Sequence, residues 1–223
     1  MSTVGGEREG PPDGVPTPEV PLDHPFPDRH AAGVELAARL ERLRHEAPVI
    51  LGLEPGGAPV GEAVAEVLAA PFSVIAIARI GEPGRRVGAV AEDGPPVIDQ
   101  DLARAHGIVR GALEEARSRA EAAVAERQAR RARPLPDLTG RTVVLVGDGI
   151  ATGRAAAAAN RAVRRRGAVR VVAAAPVATA HAIASLGDEV DEVVCVRCTP
   201  LPGTLRDWYD QPLPPLEPDA SKP

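Results

Sequence analysis

Aromatic side chains are nearly missing from this sequence: Phe, Tyr and Trp together make up 2% of its 223 residues. A surface that holds nucleic acid by stacking bases on rings would have almost nothing to build with. An excess of positive charge is missing too. There are 26 Lys and Arg against 31 Asp and Glu, and a net charge of −5 speaks against a sequence-independent grip on a phosphate backbone. Two cysteines are too few for a disulfide framework. No apolar run reaches the roughly 20 residues of a membrane-spanning helix. No basic start followed by an apolar stretch marks a secretory signal. The expectation is a cytoplasmic protein with neither nucleic acid nor membrane as partner.

What is abundant is small and aliphatic. The 44% hydrophobic content comes mostly from Ala, Val, Leu and Ile. Residues 1–27 and 211–223 are punctuated by Pro and Gly without apolar periodicity, so they read as a disordered lead and tail around one domain at 28–210. Within it, helical spacing runs from Asp28, a plausible cap, to Glu46, and again from Val60 to Leu68. Strands are expected at 49–53, 73–78, 142–146, 169–177 and 192–196, with a hairpin around Asp93-Gly94 between shorter strands. A long helix is expected from Leu102 to about Arg131, and shorter ones at 154–166 and 178–186. Near-continuous apolar strands alternating with helices predict a parallel sheet covered on both faces.

Ligands of such sheets sit beyond the carboxyl ends of strands. The segment Val143 to Gly153 is a strand running into a loop of Gly147, Asp148, Gly149, Ile150, Ala151, Thr152 and Gly153. Small residues let backbone N–H groups converge on an anion, and the following helix adds its positive end. Thr152 can donate a hydroxyl, and Asp148 can accept from sugar hydroxyls or from water on a divalent cation. A Walker loop is excluded because Arg154-Ala155, not Lys and Ser or Thr, follows Gly153. A dinucleotide fingerprint is excluded because the sixth position from Gly147 is Thr152.

This segment resembles the phosphoribosyl pyrophosphate (PRPP) motif of type I phosphoribosyltransferases: four apolar residues, two acids, three variable residues, Thr and Gly. The similarity runs from about Phe26 to Tyr209 and is closest to a bacterial group of predicted phosphoribosyltransferases. Other matching stretches are Asp28 to Gly33, Gly52-Leu53, Gly56-Gly57, Ile80 to Gly84, Gly88 to Val90 and Trp208-Tyr209. The resemblance implies a central parallel sheet flanked by helices, with a small hood region. It implies a small phosphoribosyl substrate bound with Mg²⁺, with Asp148 on the ribose hydroxyls and beside the metal. Gly149, Ile150, Ala151, Thr152 and Gly153 would form the 5′-phosphate cradle. Glu54, Pro55, Gly56 and Gly57 would form the pyrophosphate loop, with a cis peptide expected between Glu54 and Pro55. Arg79, where the family has a Lys, would bring catalytic charge. Relatives commonly dimerise, so a homodimer is among the open oligomeric states.

Three departures fall on the site. Gly147 stands where the family has its first acid, and Glu54-Pro55 replaces Pro-Arg ahead of the two glycines. After Gly84 the chain is shorter, with Arg85-Arg86 in place of an insertion. The resemblance therefore implies a phosphoribosyltransferase that passes phosphoribosyl to an unidentified nitrogen acceptor and releases pyrophosphate. The departures keep open a second expectation, a PRPP- or nucleotide-binding module without turnover. A phosphate-ester hydrolase or accessory domain is a third. Cys195 and Cys198, at metal-like spacing, lack a second ligand pair, and His181 lacks a partnered acid, so neither is expected to carry chemistry.

Overall fold

Strand β1 (Val49–Leu53) is buried at all five positions, as is β6 (Thr142–Val146), and the two lie side by side in parallel. The run of Val, Ile and Leu in each has no polar face, which suits only a strand covered from both sides. They sit inside a five-stranded parallel sheet of order β2-β1-β6-β7-β8, where β2 is Phe72–Ile75, β7 is Arg170–Thr179 and β8 is Glu192–Thr199. The computed structural model describes residues 25–131, 134–200 and 208–210. Most of the expected lead and all of the expected tail lie outside the described residues.

One face of the sheet is covered by α1 (Arg29–Leu40) and α2 (Ala58–Leu68), through Leu36, Leu40, Val60 and Val64. Asp28 caps α1 as expected, accepting a 2.7 Å bond from the Ala31 N–H. The helix expected through Glu46 tightens instead into a 3-10 turn over Glu41–Glu46, stopped by Ala47 in the left-handed region. Phe26, on the lead side of the expected boundary, is 1% exposed and bridges to Tyr209. The other face is covered by α5 (Arg154–Arg165), whose run Ala156 to Ala159 lets the helix lie close. Last comes α6 (Ala180–Leu186), capped by the Thr179 hydroxyl.

A second, antiparallel sheet forms the hood: β3 (Ile77–Ile80), β4 (Gly88–Ala91) and β5 (Val97–Ile98). The single strand expected at 73–78 is in fact two. At the break, Glu54 N–H donates to the Ile75 carbonyl while Glu92 N–H donates to the Ala76 carbonyl, so the chain passes from one sheet to the other. The expected long helix is also divided. Asp99 caps a short α3 (Gln100–Ala105), Gly107 turns at φ +66, and α4 (Arg110–Arg130) restarts across the hood. Glu92, 1% exposed, holds Arg131 at 2.8 and 2.9 Å and ties the end of α4 beneath this sheet.

Candidate functional site

The loop after β6 is pinned to the end of β7. Gly147 N–H donates to Ala174 O at 2.9 Å, Ile150 N–H to Val177 O at 2.8 Å, and Thr179 N–H returns to Ile150 O at 2.9 Å. The Thr179 hydroxyl donates to Ala151 O at 2.8 Å. Ile150 therefore departs from its expected place in an anion cradle: its amide is spent and its side chain is 6% exposed, in the core. The N–H groups of Gly149, Ala151, Thr152 and Gly153 meet no protein acceptor among the described residues. Ala151 and Thr152 are exposed. Gly153 is left-handed at φ +74, and a Cβ on it would stand 2.9 Å from Leu186 Cγ, so glycine is required where the loop enters α5. Four open amides beside the first turn of a helix are donors of the kind an anion could take.

Asp148 is 7% exposed. Arg29, in the first turn of α1, donates to its Oδ2 at 2.7 Å, and Tyr209 Oη donates to its main-chain carbonyl at 2.6 Å. The Arg29 guanidinium lies 5.5 Å from the Tyr209 ring centroid. Burial, and then the Asp148 charge, push the Tyr209 phenol well above its ordinary range and keep it a donor. Sequence alone points to neither Arg29 nor Tyr209 as a partner of Asp148. Both lie in stretches that matched the family, but nothing local tells that residues 119 positions apart will meet.

Gly56 also packs against Asp148. A Cβ at Gly56 would fall 2.0 Å from Oδ2 and 2.4 Å from Cγ, so the backbone of one loop touches the carboxylate of the other. The Glu54–Pro55 bond is cis. Gly57 does not offer the amide expected of it, because its N–H donates to Leu53 O at 2.8 Å. Its glycine is required by packing: a Cβ would come 2.2 Å from Val146 O. Gly56 N–H has no protein acceptor among the described residues.

Between these loops and the hood lies a pocket of about 380 Å³. Its floor gathers Glu54, Pro55, Gly56, Gly147, Asp148 and Gly149. Its roof carries Arg79 and Arg86 from the β3–β4 hairpin, and Arg119, Arg127 and small alanines from α4. Gly57, Ile150, Ala151, Thr152 and Gly153 do not line it. Arg119 pairs with Glu82 at 3.1 Å, and Arg127 bonds the Ile77 carbonyl. Arg79 and Arg86 pair with no carboxylate among the described residues. Burial, and then the Arg79 charge, lower the Arg86 pKa from its ordinary value. Two like charges left together without an acid suit an anionic ligand. The α4 arginines were missed because a polar, Ala-rich helix reads as a solvated face.

No three His, Cys, Asp or Glu side chains converge on a metal position among the described residues. Asp148 and Glu54 are the carboxylates on the pocket floor, and either could meet a Mg²⁺ through water while the ion takes other oxygens from its phosphate ligand. Cys195 and Cys198 are free thiols, Cys195 pushed up to about 11 by burial, so neither is a ready nucleophile or metal ligand. His181 is exposed on α6. No helix among the described residues is long and apolar enough to cross a membrane.

The family model described as "Phosphoribosyl transferase domain" matches residues 27–199. Two Mycobacterium tuberculosis proteins, from strains CDC 1551 / Oshkosh and H37Rv, carry provisional names as phosphoribosyl transferases. Each is 40% identical over 177 residues, 77% of this chain. The chain spans 40% of the length of those relatives. Among solved structures, a Thermus thermophilus protein is 37% identical, with a TM-score of 0.65 over 83% of this chain and 90% of its own. An Aquifex aeolicus protein shares the fold at 15% identity and a TM-score of 0.50, covering 79% of this chain and 78% of its own.

Proposed function

This chain belongs to the phosphoribosyl transferase domain family, and from that premise we propose that it binds PRPP and transfers its ribosyl phosphate to a nitrogen acceptor, releasing pyrophosphate. One observation carries this reading: the loop with four open amides and the loop of residues 54–57 meet at Asp148, on the floor of a pocket roofed by arginines. The 5′-phosphate would take the amides of Gly149, Ala151, Thr152 and Gly153 with the first turn of α5. Asp148 would accept from the ribose hydroxyls. The diphosphate would lie toward Gly56 N–H beneath Arg79 and Arg86.

In the transfer the bond from the anomeric carbon to the diphosphate oxygen breaks, and a carbon–nitrogen bond forms through an oxocarbenium-like state. The acceptor's proton leaves to solvent or to the departing diphosphate. The protein's part is to align donor and acceptor and to screen the departing charge. Glu54 places a carboxylate near that charge, and Arg79 and Arg86 oppose it. Mg²⁺ bound with PRPP would neutralise diphosphate charge, and Asp148 is the residue placed to hold it through water.

Gly147 favours a second reading, a module that binds PRPP or a nucleotide without turnover. A Cβ there would meet nothing closer than 3.6 Å, so packing does not demand glycine, and the missing acid is a loss at the ribose. Titration calorimetry with PRPP and Mg²⁺, set against ribose 5-phosphate, tests both. Tighter PRPP binding together with pyrophosphate release on adding nucleobases supports the transferase. Equal affinities without turnover support the binding module, and no binding of either ligand refutes both.

A further inference from the structure

We propose that Arg29 is a positioning residue for ribose recognition, setting the carboxylate of Asp148 with Tyr209 as a second fastening; the inference rests on Asp148 receiving the ribose. With Gly147 in place of the first acid, Asp148 is the one carboxylate in the motif loop. A carboxylate offers about four lone-pair positions, and their usefulness to a sugar depends on how the group is turned. Arg29 Nη2 occupies one at 2.7 Å on Oδ2, and the Gly56 backbone lies close against the same carboxylate. Tyr209 Oη fixes the same residue from its carbonyl at 2.6 Å.

Helix stability does not account for Arg29. It stands in the first turn of α1, where a cation opposes the helix dipole and the only adjacent acid, the Asp28 cap, is spent on the Ala31 N–H. Its side chain is 13% exposed, and its Nε is buried without a hydrogen-bond partner. What it gains is Asp148 and the face of Tyr209. Phe26 sets the geometry: its N–H donates to Trp208 O at 2.8 Å and its carbonyl accepts from Asp210 N–H at 2.9 Å. The segment leading into α1 and the 208–210 segment thus close together beneath the motif loop.

The test is calorimetry with two probes, ribose 5-phosphate and inorganic phosphate, on the full chain and on Arg29→Met, Arg29→Lys and Tyr209→Phe. Arg29→Met should weaken ribose 5-phosphate binding about tenfold or more, the equivalent of one charge-assisted bond, and leave inorganic phosphate unchanged. Arg29→Lys, which keeps the charge without the planar fork, should recover part of the loss. Tyr209→Phe should give a smaller loss of the same selectivity. Unchanged ribose 5-phosphate affinity in a folded Arg29→Met overturns the proposal. So does an equal fall for both probes, or failure of both Arg29 variants to fold, since each would mean a structural role alone. If the unaltered chain binds phosphate but not ribose 5-phosphate, it is the assignment of the ribose to Asp148 that fails.

Discussion

Gly56→Ala is the smallest change that disturbs the centre of this site, and its two effects on stability have opposite signs. The new methyl would stand 2.0 Å from Asp148 Oδ2, whereas ordinary contact needs about 3.5 Å, so the groups must separate by roughly 1.5 Å. A carboxylate moved that far leaves the 2.7 Å bond from Arg29, and losing a charge-assisted bond costs about 1.5–3 kcal/mol. Against this, Gly56 is not in the left-handed region, so alanine fits the backbone and narrows the unfolded ensemble, worth about 0.4–1 kcal/mol. The carboxylate effect wins. The net loss is about 0.5–2.6 kcal/mol, which lowers the melting temperature of a domain this size by about 1–10 °C. Scanning calorimetry reads the stability, and titration with ribose 5-phosphate reads the site, where affinity should fall together with stability. A variant that melts and binds like the unaltered chain would mean that the Gly56 contact does not hold Asp148 on Arg29.

Three further outcomes follow from the same geometry. Gly147→Asp should fold with little change in melting temperature, since its Cβ has room, and should tighten ribose 5-phosphate binding about 10- to 150-fold by restoring one charge-assisted bond; a folded variant without gain would misplace the ribose. Arg86→Met should weaken inorganic pyrophosphate binding measured by calorimetry while sparing ribose 5-phosphate, and equal losses would place Arg86 outside the diphosphate region. Asp99 is held below its ordinary range by the Leu102 N–H and then by Arg154, so its stabilisation is present above about pH 4 and is lost as pH falls through the lower folded value. Asp99→Asn should therefore melt lower than the unaltered chain at pH 7 and approach it at pH 3, and a gap that does not shrink would deny the Asp99–Arg154 pair this role.

Strands β1 and β6 were legible to the residue because burial on both faces leaves an unbroken apolar run that turn residues bound sharply. The division at Ala76 was not, because Val74 to Ala78 is equally apolar on both sides of the crossing, and only pairing with β1 or with β4 distinguishes the halves. The motif loop disclosed Asp148 and the glycines, whose spacing is local. It could not disclose that Ile150 and Gly57 spend their amides on Val177 and Leu53, since the acceptors are chosen by the folded sheet. Arg29 was hidden for a related reason: a first-turn arginine in a chain rich in arginine carries no mark of its partner until α1 is laid against the sheet.

Those long-range contacts change how the two motif losses weigh. Gly147 and Pro55 remove an acid and a cation from the floor, which by itself would leave Glu54 and Asp148 facing a polyanion. The hood restores positive charge from the opposite side through Arg79 and Arg86, and Arg29 neutralises part of Asp148 from below. On the proposed reading, charge recognition would be shared among the motif loop, the hairpin and the first turn of α1, three segments held by three different hydrophobic clusters. A ligand that bridges them gains affinity only if the hood keeps its place over the floor. The Glu92–Arg131 pair at the end of α4 serves that placement: a nearly fully buried carboxylate bonded twice to one guanidinium, whose Nη1 also reaches Val74 O at 3.0 Å, ties the roof helix to the strand beside β1. On the proposed reading, substrate affinity would be coupled to this pair at the end of α4, where no motif would direct attention.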